Sequence, residues 1–145
     1  MLNGSCLCGG VAYEADSNLG PIVHCHCQTC RKTHGAAFSS IASVPKAKFR
    51  WTRGEELLAA FESSPGKLRR FCSRCGSHLI AERTGKDTVM LRLGCLDSDA
   101  PGNALAHIWR SDAASWYDPR HVLAELLEGL DKPELKRPDV TLDGL

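Results

Sequence analysis

The sequence predicts a mainly β fold, and three observations carry that expectation. Apolar and polar residues alternate over short stretches, the stretches are punctuated by glycine and polar turns, and helical spacing is found near the C-terminus. In chain order, Gly9-Gly10 opens a strand over Val11–Ala15, whose alternation puts Val11, Tyr13 and Ala15 on one face. A turn-rich break over Asp16–Gly20 precedes a second strand at Pro21–Cys25. Residues Cys27–Gly35 are too polar and too crowded with cysteine for a buried strand, and a loop or a single helical turn is expected there. Phe38–Val44 is strand-like and is closed by Pro45, which has no N–H to give a ladder. Phe49–Trp51 alternates, whereas Leu57–Glu62 fits strand or helix equally. Ser63-Ser64-Pro65-Gly66 is a turn signal that leads into a strand over Lys67–Cys72. Leu79–Glu82 and Thr88–Leu93, joined by a turn at Thr84–Asp87, predict a hairpin. Ser98–Asn103 reads as a loop and Ala106–Trp109 as a brief extended piece. From Arg120 onward Val122, Leu123, Leu126, Leu127 and Leu130 recur at helical spacing and predict a short C-terminal helix, followed from Lys132 by a surface tail containing Pro133 and Pro138.

At 145 residues the chain is long enough to bury a core of its own, and its 43% apolar and 24% charged residues are those of an ordinary globular protein. Eighteen basic against seventeen acidic residues leave a formal charge of +1, which provides no general footprint for nucleic acid or an anionic membrane. No apolar run approaches the ~20 residues that span a bilayer, and Met1–Cys6 has neither a basic region nor an apolar one of the kind that directs export. A cytoplasmic protein is therefore expected. Its eight cysteines are out of keeping with that composition.

The cysteines are clustered as Cys6-x-Cys8, Cys25-x-Cys27-x-x-Cys30 and Cys72-x-x-Cys75, with Cys95 alone. In a reducing compartment, thiols at such spacing serve metal ligation or redox chemistry. Disulfide pairing fits poorly, because a bridge within a Cys-x-Cys step is geometrically unfavourable. A redox dithiol at Cys27/Cys30 or Cys72/Cys75 needs a strand that runs into a helix, and Gly76–Ile80 looks like a turn into a strand. Zinc takes four ligands tetrahedrally, usually as two close pairs of thiolates from two turns. One partition joins two of the pairs in a four-thiolate site and leaves Cys25, Cys27 and Cys30 as three ligands to a second zinc with an open position. The other joins Cys27 and Cys30 to Cys72 and Cys75 and leaves Cys6 and Cys8 idle. Spacing alone admits both.

Three linked segments resemble one known family: Gly4-Ser5-Cys6-Leu7-Cys8-Gly9-Gly10-Val11, then His24-Cys25-His26-Cys27-Gln28-Thr29-Cys30-Arg31-Lys32 with Gly35-Ala36-Ala37-Phe38, then Arg70-Phe71-Cys72-Ser73-Arg74-Cys75-Gly76-Ser77 with Leu79. The resemblance is to the glutathione-dependent formaldehyde-activating family, which includes S-(hydroxymethyl)glutathione synthase and the centromere-protein-V-like proteins, and it runs from about Gly4 to Trp116. It implies an antiparallel β-tent stabilised by zinc. It also implies about two zinc ions per chain, one held by Cys6, Cys8, Cys72 and Cys75 and a second, catalytic one by Cys25, Cys27 and Cys30.

The activity so implied is that of a carbon-sulfur lyase or synthase acting on an adduct of formaldehyde with glutathione or another small thiol. The centromere-type relatives suggest the alternative of a non-catalytic, zinc-stabilised β module that binds a protein partner. Arg31, Lys32 and His34 follow Cys30 directly and are the expected cations for an anionic thiol such as glutathione. His24 and His26 are expected on the face opposite the thiolates, as hydrogen-bonding or exposed residues. His107, Trp109 and Trp116 are candidates to line a pocket or to pack in the core. Cys95 stands where the family pattern has a small hydroxylated residue; a buried apolar role is expected, with a fourth ligand to the second zinc as the alternative. The organisation expected is a single zinc-binding β domain over residues 1–131, with a C-terminal tail over residues 132–145.

Overall fold

A computed structural model of the protein describes residues 1–121. The expected C-terminal helix over Val122–Leu130 and the tail over residues 132–145 lie outside the described residues. Residues Met1–Ala114 form one compact unit, and a second begins at Ser115. In the described part of that second unit, Asp118 caps a turn by accepting from the backbone N–H of Arg120 (3.0 Å) and pairs with its guanidinium (2.7 Å).

The first unit is mainly β. Strands β1 (Leu2–Ser5), β2 (Ala12–Ala15) and β5 (Phe49–Arg53) make a three-stranded antiparallel sheet in the order β1-β2-β5. Strands β3 (Val23–Cys25), β4 (Ser39–Pro45), β6 (Leu58–Ser64), β7 (Lys67–Cys72), β8 (His78–Arg83), β9 (Thr88–Arg92) and β10 (Ala106–Ile108) make a seven-stranded sheet in the order β10-β3-β4-β9-β8-β7-β6. Every pairing in it is antiparallel except β10 with β3, which is parallel.

Side chains alternate across a strand, so the register assigns each residue of the large sheet to a face. Val44 opposes Val89, and Leu91 opposes Ala42 and Ile80; these residues share one face. There they are buried with Tyr13 and Ala15 of the small sheet and with Val11 just before β2. The predicted inward set of β2 is thus the inward set observed. Tyr13 is the centre of this core: it is fully buried, tilted against Phe49 (5.2 Å between ring centroids) and edge-to-face with Trp51 (6.0 Å). The other face carries Cys25, Ile41, Met90, Arg92 and Arg69, and a second, smaller cluster of Cys25, Cys30 and Ile41 is packed there by Val23, Met90 and Ile108.

Three segments depart from the sequence expectation. Strand β1 was not expected, because Leu2-Asn3-Gly4-Ser5 has one large apolar residue; it forms by pairing with β2. Residues Gln28–His34 form a helix, α1, longer than the loop or single turn expected. Its start is held by the Cys27 sulfur, which accepts from the Cys30 N–H, and its end by Gly35 in the left-handed conformation (φ 57°). The ambiguous stretch after Leu57 is strand β6. As an edge strand it leaves Phe61 exposed, so burial does not write a clear period into its sequence. Among the described residues no helix is long and apolar enough to cross a membrane.

Gly4 opposes Tyr13 in the β1–β2 ladder, and a Cβ at Gly4 would overlap the tyrosine ring. Gly4→Ala is expected to destabilise the chain by about 1–3 kcal/mol through overpacking. Gly94→Ala meets open space and should stay within about 0.5 kcal/mol of the parent. Urea unfolding midpoints of the two variants check this, and equal midpoints would contradict the Gly4–Tyr13 contact.

Candidate functional site

Seven of the eight cysteines fall into two groups, and all eight are free thiols. In the first group Cys6 and Cys8 sit in the turn after β1, Cys72 ends β7, and Cys75 lies in the turn that follows. The two turns are built alike. The Gly9 N–H donates to the Cys6 carbonyl (2.8 Å) and Cys6 N–H to the Val11 carbonyl (3.0 Å); the Gly76 N–H donates to the Cys72 carbonyl (2.8 Å) and Cys72 N–H to the Ser77 carbonyl (3.0 Å). Each turn uses a glycine at positive φ, Gly9 at 69° and Gly76 at 75°. The Leu7 N–H donates to Ser77 Oγ (3.0 Å) and ties one turn to the other.

The four sulfurs lie within 4.8 Å of one another, with Cys6–Cys8 at 3.5 Å and Cys8–Cys72 at 3.9 Å. Zinc–sulfur bonds of ~2.3 Å in a tetrahedron place sulfurs about 3.8 Å apart, so this donor set fits zinc. Hydrogen bonds favour thiolate at two of the four: the Val11 N–H donates to Cys6 Sγ (3.2 Å), and the side chain and backbone of Ser77 draw the Cys75 thiol down to about 5, whereas Cys8, against the pull of the Gly10 backbone, is pushed up to about 11 by Cys6 and its other cysteine neighbours.

In the second group β3 delivers Cys25 at its end, Cys27 caps α1, and Cys30 lies in the first helical turn, so a strand end and a helix start converge. Their sulfurs also lie within 4.8 Å of one another. Cys30 is drawn down to about 5 by its hydrogen bond from Cys25, with further help from Cys27, Arg92 and Arg69, while Cys25 is pushed up by the same contact and by burial. Thiols this close share protons as a unit and do not all ionise without a cation among them. Three thiolates, with no fourth cysteine in the group, suit a zinc site with a position left for another ligand.

Beside this group is a cavity of about 380 Å³, lined in part by Cys25, Cys27, Lys67, Arg69, Arg83 and Trp109. Gln28 and Thr29 of α1 join the lining, but Arg31, Lys32 and His34 do not. His34 is pushed down to about 4 by burial and by Arg92, His78 and Arg69, so it is uncharged at neutral pH. The cations that act on Cys30 come instead from the sheet: Arg69 of β7 and Arg92 of β9, at 3% and 5% exposure. Sequence reasoning missed both. The available signal was a charged residue inside an apolar strand pattern, as in Leu91-Arg92-Leu93.

The remaining candidates have definite places. His24 shares a hydrogen bond with Ser40 Oγ (3.0 Å), and fully buried His26 shares one from Nε2 with His107 Nδ1 (2.8 Å). Cys95 lies in neither thiol group; its Sγ–H donates to the His78 carbonyl (3.2 Å), and burial first, then Cys6 and Cys75, raises its thiol to about 11. Trp109 is exposed at the cavity and holds a left-handed backbone (φ 58°), the only non-glycine to do so among the described residues. Trp116 belongs to the second unit.

With this geometry in place, the chain was compared with known proteins. A family model described as "Glutathione-dependent formaldehyde-activating enzyme" matches residues 1–112. A protein of Phaeosphaeria nodorum named "Putative glutathione-dependent formaldehyde-activating enzyme" is 28% identical over 117 residues, covering 79% of this chain and 55% of its own length. A protein of the same name from Aspergillus flavus is 27% identical over 119 residues, covering 79% of this chain and 56% of its own length. The chain thus spans about half the length of these curated relatives. Among solved structures, a Rhodobacter sphaeroides protein superposes with a TM-score of 0.61 at 22% identity over 72% of this chain and 98% of that one, a likeness of fold. The match over residues 1–112 takes in both thiol groups and both sheets, and the chain belongs to the glutathione-dependent formaldehyde-activating enzyme family.

Proposed function

We propose that the protein is a zinc-dependent carbon-sulfur lyase or synthase that interconverts formaldehyde, glutathione or a related small thiol, and their S-hydroxymethyl adduct. In this reading the four-thiol group holds a structural zinc and the three-thiol group a catalytic one. The observation that carries it is the opening of Cys25 and Cys27 onto a cavity of about 380 Å³, within the range of small-molecule sites. Family membership supports the same chemistry.

Cys25, Cys27 and Cys30 would hold the zinc ion, which would supply a place for a further ligand and lower the pKa of a thiol bound there. The chain's own residues do the rest. Helix α1 and strand β3 fix the three sulfurs, so the position for the incoming thiol is set before substrate arrives. Buried Arg69 and Arg92 offset the excess negative charge of three thiolates, which otherwise repels an anionic thiol. The bond changes balance simply: the thiol sulfur bonds to the carbonyl carbon, the carbon–oxygen π pair moves to oxygen, and that oxygen takes up the proton the thiol gave up. The reverse reaction breaks the same carbon–sulfur bond.

The purified chain is expected to carry about two zinc ions, and Cys27→Ser about one, by elemental analysis. A content of about one that Cys27→Ser leaves unchanged excludes the two-site arrangement. Cys72→Ser removes a ligand on which both turns converge; it should cost metal and cooperative unfolding together, because binding energy at a structural site is folding energy. For activity, exchange NMR should show interconversion of glutathione, formaldehyde and adduct faster than the buffer blank, with the excess lost in Cys27→Ser. Rates equal to the blank favour the non-catalytic module that binds a protein partner.

A further inference from the structure

We infer that the groove along the open edge of the small sheet, from Phe49 and Trp51 to the turn at Thr84–Lys86, binds a mononucleotide, with the base against the aromatic pair and the phosphates at the turn. The groove lies on the core face of the large sheet, opposite the three-thiol group, and is independent of the chemistry proposed there.

Beyond β5, the edge strand of the small sheet, the core face of the large sheet opens into two cavities of about 310 Å³ each. Lys46, Arg70 and Glu82 line both, so the two form one groove. At one end Ile80 and Val89 make an apolar floor and Phe49 and Trp51 a wall. Both aromatics are half-buried: Tyr13 packs behind them, and their remaining ring surface faces the groove. At the other end the lining changes to Arg83, Thr84, Gly85 and Lys86. An aromatic slot that runs on into a cationic one is the complement of a planar ring joined to an anion. Strand β8 sets the spacing. Ile80 in the slot and Arg83 at the turn are three residues apart, about 10 Å at the rise of a strand, which is the reach from a base to the phosphates of its own nucleotide.

The charges are arranged to match. Glu82, the acid shared by both cavities, is already neutralised, because it pairs with Arg70 Nε (2.5 Å) and Lys46 Nζ (3.5 Å). Two cations on one carboxylate leave a positive surplus, and among the described residues Arg70 makes no hydrogen bond from either Nη. Lys86 enters no ion pair among the described residues, and Arg83 makes one hydrogen bond, to the Pro65 carbonyl (3.3 Å). Gly85, at φ 74°, has open space where a Cβ would stand, so an anion can reach the backbone of the turn. At the aromatic end Glu55 offers an acceptor to the amino group of a base. A single cationic end, in a chain whose formal charge is only +1, suits one nucleotide better than the backbone of a strand.

The test titrates the full, zinc-loaded, isotope-labelled chain with ADP, adenosine, pyrophosphate and a deoxyadenosine oligomer, and follows the backbone amides and tryptophan indoles by NMR. ADP is expected to shift the Trp51 indole and the Gly85 and Lys86 amides together. It should bind about tenfold or more tighter than adenosine or pyrophosphate, with the advantage over adenosine shrinking as salt rises. Lys86→Glu should weaken ADP about tenfold and leave adenosine and zinc content unchanged; Arg83 is left in place because it also borders the cavity beside Cys25. ADP that shifts neither end of the groove, pyrophosphate that binds as tightly as ADP, or a Lys86→Glu chain that binds ADP like the parent overturns the inference. Loss of zinc on adding ADP overturns it too, since chelation then accounts for the shifts. A tighter complex with the oligomer than with ADP overturns the assignment to a mononucleotide in favour of a strand.

Discussion

Four sulfurs gathered within 4.8 Å of one another are an electrostatic liability until a cation sits among them, and the architecture is arranged around that constraint. The sulfurs come from two turns far apart in sequence, one leaving the small sheet and the other joining two strands of the large one. The Leu7 N–H to Ser77 contact and the ladders behind each turn hold those loops together from the protein side. Tyr13, Phe49 and Trp51 fill the space between the sheets just beyond them. A thiol lost from this group therefore damages the junction of the two sheets as well as a ligand set.

The large sheet acts as a partition. One face belongs to the aromatic core and leads to the four-thiol group; the other carries the three-thiol group, the buried arginines and the cavity. Because strand side chains alternate, a single strand serves both. On β9, Val89 and Leu91 close the core while Met90 and Arg92 support the thiols. On β7, Arg70 pairs with Glu82 on one face and Arg69 turns to the cavity on the other. The two thiol groups differ in surroundings: the first lies in turns that leave Cys8 exposed, and the second borders an open cavity.

What the sequence discloses follows the range over which each signal operates. Cysteine spacing and glycine turns are local, so the clusters and the inward set of β2 were legible from Cys6 to Cys75. Strands announced by a turn signal, such as Lys67–Cys72 after Ser63–Gly66, were legible too. Strand β1 was not, since its reason for existing is a partner across the sheet. Helix α1 was hidden because a cysteine sulfur does the capping ordinarily expected of serine or aspartate. The cations that bear on Cys30 were not legible for a related reason. Arg31 and Lys32 adjoin Cys30 in sequence, but a helix carries neighbours to different sides. Arg69 and Arg92 reach the site only through strand register, which one chain read along its length does not display.

The parallel pairing of β10 with β3 has a consequence for the order of events on the ribosome. Strand β3 delivers Cys25, and β10 holds it from outside while the Ile108 carbonyl accepts from the His26 N–H. The four-thiol group is complete in the nascent chain once Cys75 has emerged; the second centre gains its flanking strand and Trp109 only after synthesis passes them. Vectorial growth thus makes both cysteine turns available before the cavity beside Cys25 gains its last strand.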